Sequence, residues 1–304
     1  MKQILIGLTK EDYEHPYDRD AMKAVQGIRL LPQIVDAFMN FAQVQWDIVD
    51  FCGSSFHVTE LSCLSLNNLL RETSTVLDLE TVPPMYIQQN CDINAFTMGH
   101  KHNAYMMFNS GTVDKLNNQE LMFVLGHEMG HIKSGHVLYL SLATYLSAMI
   151  SMIPIVGQFV AQIGQTMLNT IIGKWRRMAE FTADRAGLLA CQDIDVAVSA
   201  MMKMAGLPER FYEEASLQGF KAQSREFKIQ YGGGVIDTLL KMNSTHPWTV
   251  LRVSELIYWY ESGEYERILN KRRGKRCLTH GCNRFVTLET QFCPICGRNN
   301  FEIL

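Results

Sequence analysis

Residues 117–133 constrain the chain most, because they place two imidazoles and a carboxylate on one helix. Asn117 and Glu120 have the spacing of an N-cap and its capping box. Leu121, Met122, Val124 and Leu125 add an apolar face at helical period. Residues four apart share a helix face, so His127 and His131 aim at one point, and Glu128, about 100° round the helix, reaches a water held there. Neutral imidazole is a good zinc ligand, and His-Glu-x-x-His on a helix suits zinc-assisted hydrolysis. Two ordinary helix histidines beside a surface glutamate give the same five letters, so a third ligand has to be found elsewhere.

It is found in Lys174–Gly187. Glu180 and Asp184 are four apart on an evident helix, which puts both carboxylates on one face. Glu180 can supply the third ligand. Asp184 can accept a hydrogen bond from the far nitrogen of a ligand histidine, fixing its tautomer. Without the upstream motif, the same acids among Lys174, Arg176, Arg177 and Arg185 would read as a solvated face.

The rest of the chain has to carry these helices. At 304 residues it is long enough for about two domains. Hydrophobic residues at 47% and charged ones at 19% exclude a disordered chain, and a net charge of -3 gives no whole-protein field for nucleic acid. The apolar run at the start is too short for a signal peptide, so a cytoplasmic location is expected. Apolar periodicity predicts helices over 21–46, split by Pro32, and over 60–77, with Leu61, Leu64 and Leu69 on the buried side. His15 before Pro16 is expected to pack or cap, and Cys52, Cys63, Cys91 and Cys191 to be buried free thiols. After Pro83 and Pro84, three short aromatic-containing stretches at 85–88, 94–99 and 104–108 read as strands. A sheet edge there can hold an extended peptide by main-chain hydrogen bonds, or the strands can be a purely structural meander.

Between the two ligand segments, residues 137–173 carry no charged side chain. Pro154 and Gly157 suggest a helical hairpin whose halves fall short of the ~20 residues that span a bilayer. Ser141, Thr144, Ser147 and Ser151 in one half, and Gln158, Gln162, Gln165 and Asn169 in the other, form polar stripes that two paired helices could join. The expectation is a buried or interface hairpin, with self-association or membrane contact through its apolar flanks as the alternatives.

Taken together, His127-Glu128-Met129-Gly130-His131 and Glu180-Phe181-Thr182-Ala183-Asp184 resemble the HtpX and CAAX-prenyl-protease type of zinc metallopeptidase, a branch of the gluzincins. Asn94-Ala95-Phe96 with Gly99, and Thr245-His246-Pro247 followed by Arg252, match further motifs of that family, so the similarity covers 13–268. The resemblance implies an endopeptidase with an active-site helix, a small mixed sheet and a second helix bearing the glutamate. It implies that the strand at Asn94, Ala95 and Phe96 borders the substrate and that His246 lies near the cleft, steadying the oxyanion or transiently capping the metal. Arg252 would brace this region through a carboxylate.

After a basic linker at 271–276, Cys277, Cys282, Cys293 and Cys296 form two knuckles with the spacing of a four-thiolate zinc ribbon. So short a segment has little core of its own, and metal would supply much of its folding free energy. The ribbon reads as a structural element or a dock for a protein rather than for nucleic acid.

The sequence therefore predicts an α+β, mostly α chain. Residues 1–270 form a zincin-like peptidase domain and 271–304 a linker and ribbon. One catalytic and one structural zinc ion are expected, with Glu128 as general base and a protein or peptide as substrate. A non-catalytic scaffold or chaperone-like module is the rival reading.

Overall fold

The computed structural model describes residues 2–41, 49–99, 103–231, 247–282 and 284–303. It is mostly helical with two small sheets. Strands β1 (Phe56–Val58), β2 (Met85–Gln88), β3 (Ala95–Met98) and β4 (Tyr105–Asn109) make the first sheet in the order β1-β2-β4-β3. β2 and β4 run parallel, while β1 and β3 pair antiparallel with their neighbours. β4 lies in the middle with every residue buried, which explains its unbroken Tyr-Met-Met-Phe run in place of alternation. That arrangement leaves β3 at an edge of the sheet, beside the His127 helix.

This helix, Asn118–Lys133, starts as its spacing predicts. The Asn117 side chain accepts from the backbone N–H groups of Gln119 and Glu120, and Glu120 accepts in turn from the Asn117 N–H. Glu120 is also held by Ser199 and Lys203 of the helix Ile194–Met204. The long helix Gln165–Cys191 crosses it at close range. A Cβ placed on Gly126 would come 2.3 Å from the Ala190 Cβ, and one on Gly130 would come 2.5 Å from that of Ala186. Such an approach is open only to small residues, and it brings the helices of His127 and Glu180 together.

Two apolar cores flank this crossing. One joins the sheet, the helix Leu64–Val76 and the helix Thr249–Glu261 to the His127 helix. The other packs the N-terminal helices Pro16–Gln26 and Leu31–Met39 against the uncharged tract and Trp175. Here the structure corrects the expectation of a two-piece hairpin. The tract forms helices Val137–Met152 and Pro154–Ile163, breaks at Gly164 with φ 91°, and then becomes the first turns of the Glu180 helix itself. The polar stripes do not meet. Gln158, Gln162, Gln165, Asn169, Thr144, Ser147 and Ser151 are all exposed, while Leu142, Leu146, Val156, Val160 and Leu168 face the core. These helices are amphipathic in the ordinary sense, and burying apolar surface outweighs pairing small polar groups that water satisfies equally well. Among the described residues no single helix is long and apolar enough to cross a membrane.

Two further expectations are corrected. Leu61 is 99% exposed because the predicted helix begins only at Leu64, itself exposed. Of the four scattered cysteines only Cys191 is buried, and Cys91 is exposed.

The C-terminal sheet has the order β6-β5-β7, with β5 at Gly274–Cys277, β6 at Phe285–Thr287 and β7 at Phe301–Ile303. Its first strand is seated on the N-terminus: a Cβ on Gly274 would lie 2.0 Å from the Ile6 side chain. The preceding helix Glu264–Lys271 is tied to the same region by Lys271 and Arg272, which pair with Asp12.

Candidate metal centre and active-site cleft

The crossing of the two long helices brings His127, His131 and Glu180 together. One ligand atom from each lies within 4.8 Å of the others, and all three side chains are buried. The Glu180 carboxylate spans the pair, with Oε2 3.6 Å from His127 Nε2 and Oε1 3.6 Å from His131 Nε2.

The opposite ring nitrogens decide whether this set can hold a metal. His127 Nδ1 lies 3.0 Å from Asp184 Oδ1, and a carboxylate only accepts, so Nδ1 carries the proton and Nε2 presents its lone pair to the cluster. Two imidazole Nε2 atoms and a carboxylate converging in a buried pocket are a donor set for zinc or a similar divalent ion, and they fit it.

Asp184 is fully buried and is gripped at both oxygens by Arg252, at 2.8 Å from Nε and 2.5 Å from a terminal nitrogen. Burial alone would push its carboxyl up. The guanidinium outweighs that and holds it below the usual carboxylate range, while Arg252 itself is shifted up by the pairing. Arg252 also lies 3.4 Å from Glu180 Oε2, so one cation serves both acids. It comes from the helix Thr249–Glu261, distant in sequence from either ligand helix.

Glu128 is buried beside the cluster and accepts a hydrogen bond at Oε2 from the Thr97 hydroxyl, at 2.6 Å. Thr97 is on β3, so the edge strand is fastened directly to the motif helix. A cleft of about 640 Å³ opens here. Its walls include Ala95 and Phe96 of β3 with Asn94 just before them in the chain, Leu140 and Tyr145 of the uncharged tract, and Arg176 one turn before Glu180. The Asn94 backbone is already occupied: its N–H donates to Thr112 Oγ1, and its carbonyl accepts from Thr112 and from the Asn109 N–H. Among the described residues, β3 pairs with β4 on one side only.

His246 lies outside the described residues; Pro247 and Thr249, which follow it, line the cleft. His15 acts as a cap, its Nδ1 accepting from the Tyr17 N–H.

Sequence reasoning overlooked five contributing residues. Thr97 was inside a recognised strand, and its contact with Glu128 depends on how that strand docks. Gly126 and Gly130, four apart on the motif helix, were the legible signal of a close helix crossing. His136 and Asp18, which meet behind His131, are separated by more than a hundred residues and left no local pattern.

The second cluster is Cys277, Cys282, Cys293 and Cys296. Cys277 Sγ is 3.6 Å from Cys296 Sγ and Cys282 Sγ is 3.5 Å from Cys293 Sγ, far beyond a disulfide bond. A tetrahedron with zinc–sulfur bonds of ~2.3 Å has edges of about 3.8 Å, so four thiolates at this spacing fit one zinc ion.

A helix pair presenting two imidazoles and a carboxylate, with a second glutamate and a sheet edge beside them, defines a metallopeptidase cleft. The sequence pattern of Peptidase family M48 matches residues 65–260, and the chain belongs to that family. It is 30% identical over 274 residues to the plastoglobule-localized metallopeptidase 48, chloroplastic, of Arabidopsis thaliana, covering 88% of this chain and 78% of the relative. It is 27% identical over 207 residues to a protease HtpX homolog of Ralstonia nicotianae, covering 60% of this chain and 70% of that one. A protease HtpX homolog of Burkholderia multivorans is 26% identical over 232 residues, covering 69% and 79%. No solved structure matches the chain significantly.

Proposed function

We propose that the chain is a zinc-dependent endopeptidase that holds one zinc ion on His127, His131 and Glu180 and a second, structural one on the four cysteines. The observation that carries the reading is the convergence of the three ligand atoms next to Glu128, inside a cleft bordered by an edge strand. A zinc ion held by these three residues would supply Lewis-acid chemistry, activating a water and polarising the peptide carbonyl. Glu128 takes the proton from the attacking water and passes it to the leaving amine. Thr97 occupies Glu128 Oε2, which fixes the carboxylate's orientation and leaves Oε1 for the water. Asp184 and Arg252 keep His127 in the tautomer that presents Nε2. An extended substrate adds to the open side of β3, pairing with the main chain from Ala95 to Met98. The Asn94 main chain is spoken for, so Asn94 contributes its side chain to the cleft wall. The ribbon, seated on the N-terminus, serves as a structural element or a protein dock.

The Glu128→Gln variant tests this reading. It removes the proton acceptor and leaves the ligand set in place, so cleavage of an unfolded protein is expected to fall by about 10²–10⁴-fold. Zinc per chain should stay at the parent's value. A variant that binds zinc and cleaves as fast as the parent would overturn the mechanism, and a parent that binds zinc and the unfolded protein without cutting it would favour a scaffold.

A further inference from the structure

His127 meets a carboxylate directly, but His131 does not. Its Nδ1 lies 3.0 Å from the Nδ1 of His136, both rings being buried. The far nitrogen of His136, Nε2, lies 3.0 Å from Asp18 Oδ2. Asp18 is itself buried and accepts from Trp175 Nε1 at 3.0 Å and from the Thr182 hydroxyl at 2.7 Å. Thr182 in turn accepts the backbone N–H of His15 at 3.0 Å. A line of hydrogen bonds thus runs from the back of His131, through a second imidazole, to an acid on the N-terminal helix Pro16–Gln26. That acid is clamped by two residues flanking Glu180 on its own helix.

We infer that His136 and Asp18 are positioning residues for His131, forming a His131–His136–Asp18 relay that fixes its tautomer and ring orientation toward the metal. The inference rests on the reading of His131 as a zinc ligand. Proton placement follows from one end. Asp18 only accepts, so His136 carries its proton on Nε2 and offers a lone pair at Nδ1. Two ring nitrogens at 3.0 Å share one proton between them, so His131 carries it on Nδ1. That leaves His131 Nε2 with a lone pair, on the side where Glu180 Oε1 lies.

A packing role alone does not account for this arrangement. A buried histidine needs only any acceptor and any donor, whereas here each nitrogen is committed in the one order that presents Nε2 to the cluster. The two ligand histidines therefore have different supports: a carboxylate neutralised by Arg252 behind His127, and a carboxylate relayed through imidazole behind His131. Partners of this kind affect metal affinity by about 10–100-fold when removed.

The test is zinc affinity of the full chain by competition with a chelator, with the four-cysteine site as an internal reference. The decisive pair is His136→Leu and His136→Asn. Both side chains branch at Cγ, but only the asparagine Oδ1 can accept where Nδ1 stood. His136→Leu is expected to lose about 10–100-fold in affinity at the histidine site, and His136→Asn, which restores the acceptor but not the link to Asp18, to recover part of it. In the cobalt-substituted protein, the d–d bands of the histidine site should shift in His136→Leu and return toward the parent's in His136→Asn, while the thiolate charge-transfer bands stay fixed. If His136→Leu does not fold, Asp18→Asn carries the test, with a loss of about 10-fold expected. Parent-like affinity and spectrum in His136→Leu or Asp18→Asn would overturn the relay, as would equal losses in the leucine and asparagine variants. A parent chain whose His131→Ala variant binds zinc as tightly would instead overturn the ligand assignment beneath it.

Discussion

The His127/His131/Glu180 cluster lies between helices of 16 and 27 residues, whereas only Cys277 of the four cysteines lies on a strand, the other three sitting in turns and loops beside strands of three or four residues. Around the first cluster two apolar cores meet, and the supporting groups come from the N-terminal helix, the edge strand and the helix of Arg252. In the described part of the ribbon, Val286 is the one buried apolar side chain besides cysteines. Packing therefore imposes the geometry of the first site before any ligand arrives. In the second, the ligands have little else to hold them, and the metal would impose the fold. Folding free energy and metal binding would then be separable in one region and nearly the same quantity in the other.

Metal removal is the strongest way to break this contrast. Zinc binding to small structural sites is worth about 10–16 kcal/mol at neutral pH, far more than so small a core supplies. Stripping both sites with a chelator should release the amides of 274–303 to exchange at unfolded rates. The helices Asn118–Lys133 and Gln165–Cys191 should keep their protection, read in the same hydrogen-exchange experiment. A ribbon that stays protected without metal, or a motif helix that opens with it, would show that the two regions do not differ in this way.

A smaller effect comes from the counterion beneath the first site. Arg252→Met leaves the buried Asp184 carboxylate with only His127 and no compensating charge. Removing one partner of a buried ion pair costs about 3–5 kcal/mol, because the remaining charge stays desolvated. Denaturant unfolding of the helical region should shift by that amount, and the ribbon's zinc affinity should not move. A shift below about 1 kcal/mol would mean that Asp184 finds another cation or water, and that the first site is less rigidly built than its packing suggests.

How far the two regions were legible in the sequence follows from the same contrast. The four cysteines sit close together along the chain, so their spacing alone points to the cluster. The motif helix was legible because its cap, apolar period and histidines are all local, and Glu180 with Asp184 became legible once that helix was in hand. Thr97, His136 and Asp18 were not, because their partners are chosen by docking of segments far apart in sequence. The polar stripes of the uncharged tract misled for the opposite reason. Local pattern showed that they lay on one face, but only the position of the N-terminal helices decides which face is inside. Leu61 fails in the same way, since a helix that starts at Leu64 and not at 60 leaves it outside.

The finest test alters the first site without touching a ligand or its hydrogen bonds. Gly126 lets the motif helix approach the Glu180 helix so closely that an added Cβ would stand 2.3 Å from Ala190 Cβ and 3.1 Å from the Gly187 Cα. Gly126→Ala must therefore push the helices apart, and overpacking of this kind costs about 1–3 kcal/mol. If packing sets the ligand geometry, the loss should appear twice, in the thermal unfolding of the helical region and in zinc affinity at His127, His131 and Glu180. The double variant Gly126→Ala with Ala190→Gly removes the closest collision and should recover part of both. Loss of stability with unchanged zinc affinity would mean that the ligands adjust to the ion, as the cysteines are expected to do.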